Sequence, residues 1–86
     1  MTLKSRLIQG MYDEVKEMKY EYANRDLPIQ EEVPFNIEYR IGRYHVYREL
    51  LEDIDKDICD RIDSECMPFI DTMHDFIEDF GKTIKG

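Results

Sequence analysis

The spacing of apolar side chains along this chain is helical almost throughout. Between Leu3 and Tyr22 they fall at Ile8, Met11, Val15, Met18 and Tyr22, steps of three and four that build one face of an α-helix. Leu3, Leu7 and Tyr12 widen the stripe, while Lys4, Arg6, Asp13, Glu14, Glu17 and Glu21 mostly lie away from it. The pattern predicts a first helix, A, over 3–23. Thr2 is its expected N-cap, and Asn24 stands where a left-handed residue could end it.

Residues 24–36 read as a connector. Pro28 and Pro34 bias the residues before them toward extended backbone, and Leu27, Ile29, Val33 and Phe35 would strap the segment across the end of a bundle. A short strand over 29–35 is the weaker alternative. Asn36 is a good N-cap, and from Ile37 the positions Ile41, Tyr44, Tyr47, Leu51, Ile54, Ile58, Ile62 and Cys66 keep helical spacing with no proline before Pro68. Helix B is therefore expected over 37–66, with a break ahead of Pro68. Gly42, the weak former inside it, would let another backbone come close or would simply cost about 1 kcal/mol. Helix C, over 68–80, carries Phe69, Ile70, Met73, Phe76, Ile77 and Phe80 and ends at Gly81, leaving a frayed tail at 81–86. The expected fold is all-α: a small three-helix arrangement with a long central helix flanked by two helices packed back on it, in one domain spanning 1–86.

Length makes that single domain the natural reading, because 86 residues are too few for a second core. No apolar stretch approaches the roughly 20 residues of a membrane span, and the first ten residues lack the apolar core of a secretory leader, so a cytoplasmic location is expected. On one helix, Cys59 and Cys66 would lie about 10 Å apart, too far for a disulfide, and they read as small apolar fillers.

Charge changes the picture more than composition does. The net charge is −8, yet residues 1–48 hold eight acids and eight bases, whereas residues 49–80 hold twelve acids against Lys56 and Arg61. The second half is strongly acidic. Such a surface repels nucleic acid and anionic membrane and attracts basic partners.

Glu49-Leu50-Leu51-Glu52-Asp53 sets carboxylates at i and i+3 on one helical turn. Over that fragment the chain resembles the all-α, Mg²⁺-dependent nucleotide pyrophosphatases of the MazG kind. The resemblance implies a second acidic pair facing the first, for which Asp75 and Glu78 are the candidates. The seam at Tyr47, Leu51, Ile54 and Ile58 instead turns Glu49, Glu52 and Asp53 toward solvent, which favours a solvated face. His45 with Glu49, and Asp71 with His74 and Glu78, have metal-like separations but include no Glu-x-x-His pair. No Gly-rich phosphate loop, Cys-x-x-Cys or nucleophile elbow occurs, so neither enzymatic activity nor a cofactor is expected.

The most distinctive stretch interleaves Tyr39, Arg40, Arg43, Tyr44, Tyr47 and Arg48. Tyrosine and arginine are enriched at binding hot spots, although Tyr44 and Tyr47 could equally be core, with Arg40 and Arg43 paired to acids of helix A. A binder of small anionic nucleotides at Arg40, Arg43 and Arg48 is an alternative. Further on, Glu49, Glu52, Asp53, Asp55, Asp57, Asp60, Asp63 and Glu65 would span about 24 Å of one helix, a track that could imitate nucleic-acid phosphates for a DNA-binding protein. The sequence therefore points to a small acidic interaction protein, an inhibitor, adaptor or regulator of the sort phages and mobile elements encode. Its expected partner is a protein rather than nucleic acid or membrane. Its contacts would come from the Tyr/Arg stretch and from Glu49, Glu52, Asp53, Asp57 and Asp60, and a homodimer through apolar residues of helices B and C is expected.

Overall fold

A computed structural model describes residues 2–24 and 32–85, which form three α-helices: α1 (Leu3–Ala23), α2 (Glu32–Ile54) and α3 (Lys56–Lys85). The first helix starts and stops where its spacing predicts. Thr2 Oγ1 accepts the Ser5 N–H at 3.1 Å, filling one of the orphan donors of the first turn. At the other end Asn24 is not left-handed, since its φ is −103°. It closes the helix with its side chain, Nδ2 donating to the Tyr20 carbonyl at 2.8 Å.

The second and third helices divide the chain differently from the expectation. Residues 32–36 of the predicted connector are helical, so Asn36 is interior and α2 begins at Glu32. Pro34 is tolerated there because a first-turn N–H has no helical acceptor to lose. The strand considered at 29–35 lies partly outside the described residues and is helical in the rest.

The predicted helix over 37–66 is broken at Asp55. Asp55 Oδ1 accepts the Ile58 N–H at 3.1 Å, which makes it the N-cap of α3, and the Lys4 ammonium clamps the same carboxylate at 2.6 Å. Pro68, the expected break, lies inside α3, and the helix continues through Gly81 to Lys85 instead of fraying from 81. Burial explains the choice. Turning at Asp55 brings Cys59, Ile62, Cys66, Ile70 and Met73 onto the core, and burying an isoleucine or methionine contributes about 1.5–3 kcal/mol. Keeping Pro68 helical costs about 3 kcal/mol, moderated because Pro68 and Ser64, whose carbonyl loses its partner, are both exposed to water.

The path is up, down, up. Glu14 meets Arg40 and Arg43 while Gly10 meets Tyr47, so α1 and α2 are antiparallel. Tyr44 and Arg48 meet Asp63, and the Cys59 thiol lies 3.5 Å from the Arg48 carbonyl, so α2 and α3 are antiparallel too. Lys4 with Asp55, Tyr12 with Glu65 and Tyr22 with Phe76 run α3 parallel to α1. The central element is α2, which packs on both neighbours, whereas the longest is α3, whose 30 residues match the 44 Å long axis of the molecule. The core joins Leu7, Met11, Val15 and Met18 of α1 to Val33, Ile37, Ile41, Tyr44 and Leu51 of α2 and to the five α3 residues named above. In α1 the seam is centred on Leu7 rather than Ile8, and Ile54, expected in the seam, is exposed.

Candidate interaction surface

The Tyr/Arg stretch of α2 is largely consumed by the fold. Glu14 is the one buried charged side chain among the described residues, and α1 delivers it to the two arginines of α2. Arg43 Nε donates to Oε1 at 2.7 Å and Arg40 Nη1 to Oε2 at 3.2 Å. Arg43 also donates to the hydroxyls of Tyr39 (Nη1, 3.2 Å) and Tyr47 (Nη2, 2.9 Å), the residues one turn to either side. These bonds, that to Glu14 foremost, push the Arg43 pKa further up, so the charge is permanent.

A second network ties α2 to α3. Tyr44, fully buried, donates its hydroxyl to Asp63 Oδ1 at 2.6 Å, and the Arg48 guanidinium binds the other oxygen of the same carboxylate. Burial, then the bond to Asp63, raises the Tyr44 pKa far above that of a free phenol. Arg48 also lies 3.5 Å from Glu52. An anion arriving at Arg40, Arg43 or Arg48 would meet carboxylates already in place beside each guanidinium.

The acidic series does not form one straight track. The break at Asp55 leaves Glu49, Glu52 and Asp53 on the end of α2 and Asp57, Asp60, Asp63 and Glu65 on α3, folded back around a corner. Asp55 caps α3, Asp63 is bound by Tyr44 and Arg48, Asp60 pairs with Lys56 at 2.8 Å, and Glu65 accepts from Tyr12 at 2.8 Å. Glu49, Asp53 and Asp57 are exposed and make no ion pair among the described residues. No group of three or more His, Cys, Asp or Glu among the described residues is placed to hold a metal ion.

Of the outer face of α2, sequence reading picked out Tyr39 as a contact residue but not Phe35, Val46 or Leu50. Phe35 (70% exposed), Tyr39 (59%), Val46 (57%) and Leu50 (50%) lie with Gly42 along one line of the helix, and Ile54 (47%) stands beside its end. At 3.6 residues per turn, positions 35, 39, 42, 46 and 50 fall within about 80° of the circumference and run about 22 Å. The signal was present in the pairs Val46-Tyr47 and Leu50-Leu51, since adjacent helical positions point about 100° apart and cannot both enter one core. Gly42 sits in this line with nothing within 4 Å of where a Cβ would stand, so no neighbour approaches it within the chain. The close approach occurs instead at Gly10.

Between α1 and α3 an open groove of about 300 Å³ is lined by Tyr12, Lys19, Glu65, Cys66 and Phe69, among others. Within it Tyr12 pairs with Glu65, and Lys19 lies over the Phe69 ring at 5.5 Å. Burial is the main reason both cysteine thiols titrate above their usual range, and both are free. No helix among the described residues is long and apolar enough to cross a membrane. In comparisons with known proteins, no family model, no curated protein and no solved structure matches the chain.

Proposed function

We propose that the chain is a protein-interaction module that works by laying the outer face of α2 against another macromolecule, as an inhibitor, adaptor or regulator. The observation that carries this reading is the two-sided character of α2. Its inner face supplies Val33, Ile37, Ile41, Tyr44 and Leu51 to the core, while of the eight large exposed hydrophobics among the described residues four lie in the outer line of α2 and Ile54 stands beside its end. Single exposed apolar residues need no explanation, but a continuous line of them on one helix marks a contact surface.

The rival readings have less support. Nucleotide binding at Arg40, Arg43 and Arg48 must compete with Glu14 and Asp63, and a MazG-like Mg²⁺ site would need inward carboxylates where Glu49 and Asp53 face water. Phosphate mimicry by residues 49–65 loses its straight track at Asp55.

The test compares the wild-type chain with Val46→Gln/Leu50→Gln as bait in extract of the native host. Both substitutions are at exposed positions, so the helical circular dichroism should be unchanged while specific captured proteins are lost. If the variant captures the same proteins as the wild type, the outer face of α2 is not the contact surface. Turnover of a nucleotide panel with Mg²⁺ would replace this reading with the hydrolase one.

A further inference from the structure

We infer that the outer face of α2 receives a basic amphipathic α-helix of a partner protein, with an apolar anchor in the notch at Gly42 and lysines or arginines against Glu38, Glu49 and Asp53. This rests on that face being a docking surface and names its occupant.

Shape and charge together make the case. Gly42 interrupts the ridge between Tyr39 and Val46 and leaves open space where every other position in the line carries a large side chain. A leucine-sized side chain of a helix lying along α2 can enter such a gap, as ridges enter grooves in helix packing. Glu38 and Glu49 lie along one edge of the line and Asp53 continues its end, all three exposed and without an ion pair among the described residues. They span about 22 Å of helix, some four turns of a partner. On the other edge the charge of Arg43 is turned inward to Glu14.

A second copy of this chain fits less well. An antiparallel pair centred between Gly42 and Arg43 would set Phe35 against Leu50 and Tyr39 against Val46, but two-fold symmetry brings like edges together and so puts Glu38 near Glu49. A parallel pair would set Asp53 against its own copy. In either case two chains of net charge −8 meet. A helix with lysines beside its apolar stripe gains from the same carboxylates.

The probe is a synthetic helical peptide of about 18 residues, long enough to cover this face, with leucines at i, i+3, i+4 and i+7 spacing and flanking lysines. Its counterpart replaces every lysine by glutamate. Binding to the full chain is read by fluorescence anisotropy at low and high salt, with light scattering of the chain alone. The lysine peptide should bind and weaken with salt, and the glutamate peptide should not bind. Gly42→Leu, which fills the notch with a good helix former, should weaken binding at least about tenfold without lowering the melting temperature. Glu38→Gln/Glu49→Gln/Asp53→Asn should weaken it comparably.

Equal binding of the two peptides would overturn the basic occupant while leaving the face as a docking surface. Equal binding of the lysine peptide to Val46→Gln/Leu50→Gln would overturn the inference by placing the contact elsewhere. If neither peptide binds and scattering shows a dimer that Val46→Gln/Leu50→Gln dissociates, the occupant is a second copy. If neither binds and the chain is monomeric, the inference fails, and the capture experiment alone then decides the broader reading.

Discussion

The ring of Tyr47 lies across Gly10, so close that a Cβ built there would stand 3.0 Å from its Cδ2, Cε2 and Cζ atoms. The ring is not free to retreat, because Arg43 Nη2 holds its hydroxyl at 2.9 Å and Glu14 holds Arg43. Gly10→Ala gains about 1 kcal/mol in helix propensity but overpacks by about 1–3 kcal/mol, so a lower melting temperature by circular dichroism is expected. Gly42→Ala meets open space and should raise it by the propensity gain alone. Two stabilising substitutions would show that the Tyr47 ring yields.

Glu14→Ala removes the acceptor shared by Arg40 and Arg43, and a loss of about 2 kcal/mol in urea unfolding is expected. The loss stays below that of stranding a buried charge, because the two arginine side chains are 33% and 42% exposed and can turn to water while Glu14 is 5% exposed. Glu14→Gln should lose less, since the amide keeps shape and one acceptor. Equal losses would assign the whole contribution to the charge.

Acid should loosen the α2–α3 corner only below the ordinary carboxylate range. The Lys4 ammonium, then the Ile58 N–H, hold the Asp55 carboxyl below its ordinary value of 3.8. A depressed folded-state pKa means that the contribution is present above pH 3.8 and is lost as pH falls through the lower folded-state value. Asp55→Ala should therefore be less stable than wild type at pH 7, with the gap closing below about pH 4. Melting curves across that range check this, and a gap that does not narrow as the pH falls would remove the carboxylate's charge from the account.

Pro68→Ala restores an N–H to the Ser64 carbonyl in the middle of α3. The expected outcome is a stability gain of up to about 3 kcal/mol, read as a higher urea midpoint with unchanged helix content. A loss would mean that the proline shapes α3 in a way the packing needs.

Several of these positions were visible in the chain but not their roles. Gly42 stood out because it interrupts a long apolar run, whereas Gly10 matters because a ring from 37 positions later covers it. Glu14 fell among the polar positions of helix A, and only the antiparallel approach of α2 buries it against Arg40 and Arg43. Pro68 carried a helix-ending signal of local origin, whereas Asp55 read as one acid in a charged series. Which one ends a helix depends on side chains that meet only in the folded state.

By itself the sequence determined what neighbouring residues can settle: three helical segments, the span 3–23 of the first, its Thr2 cap, and an acidic second half set against a balanced first. Period and capping act over a few residues and survive without a partner. The tertiary structure decided where α2 stops, which of two glycines is pressed, which acids are consumed by arginines and tyrosines, and which apolar face of α2 stays uncovered. Each of those outcomes turns on the burial of one side chain by another distant in sequence, and spacing along one helix marks its apolar stripe without recording which distant residue will meet it.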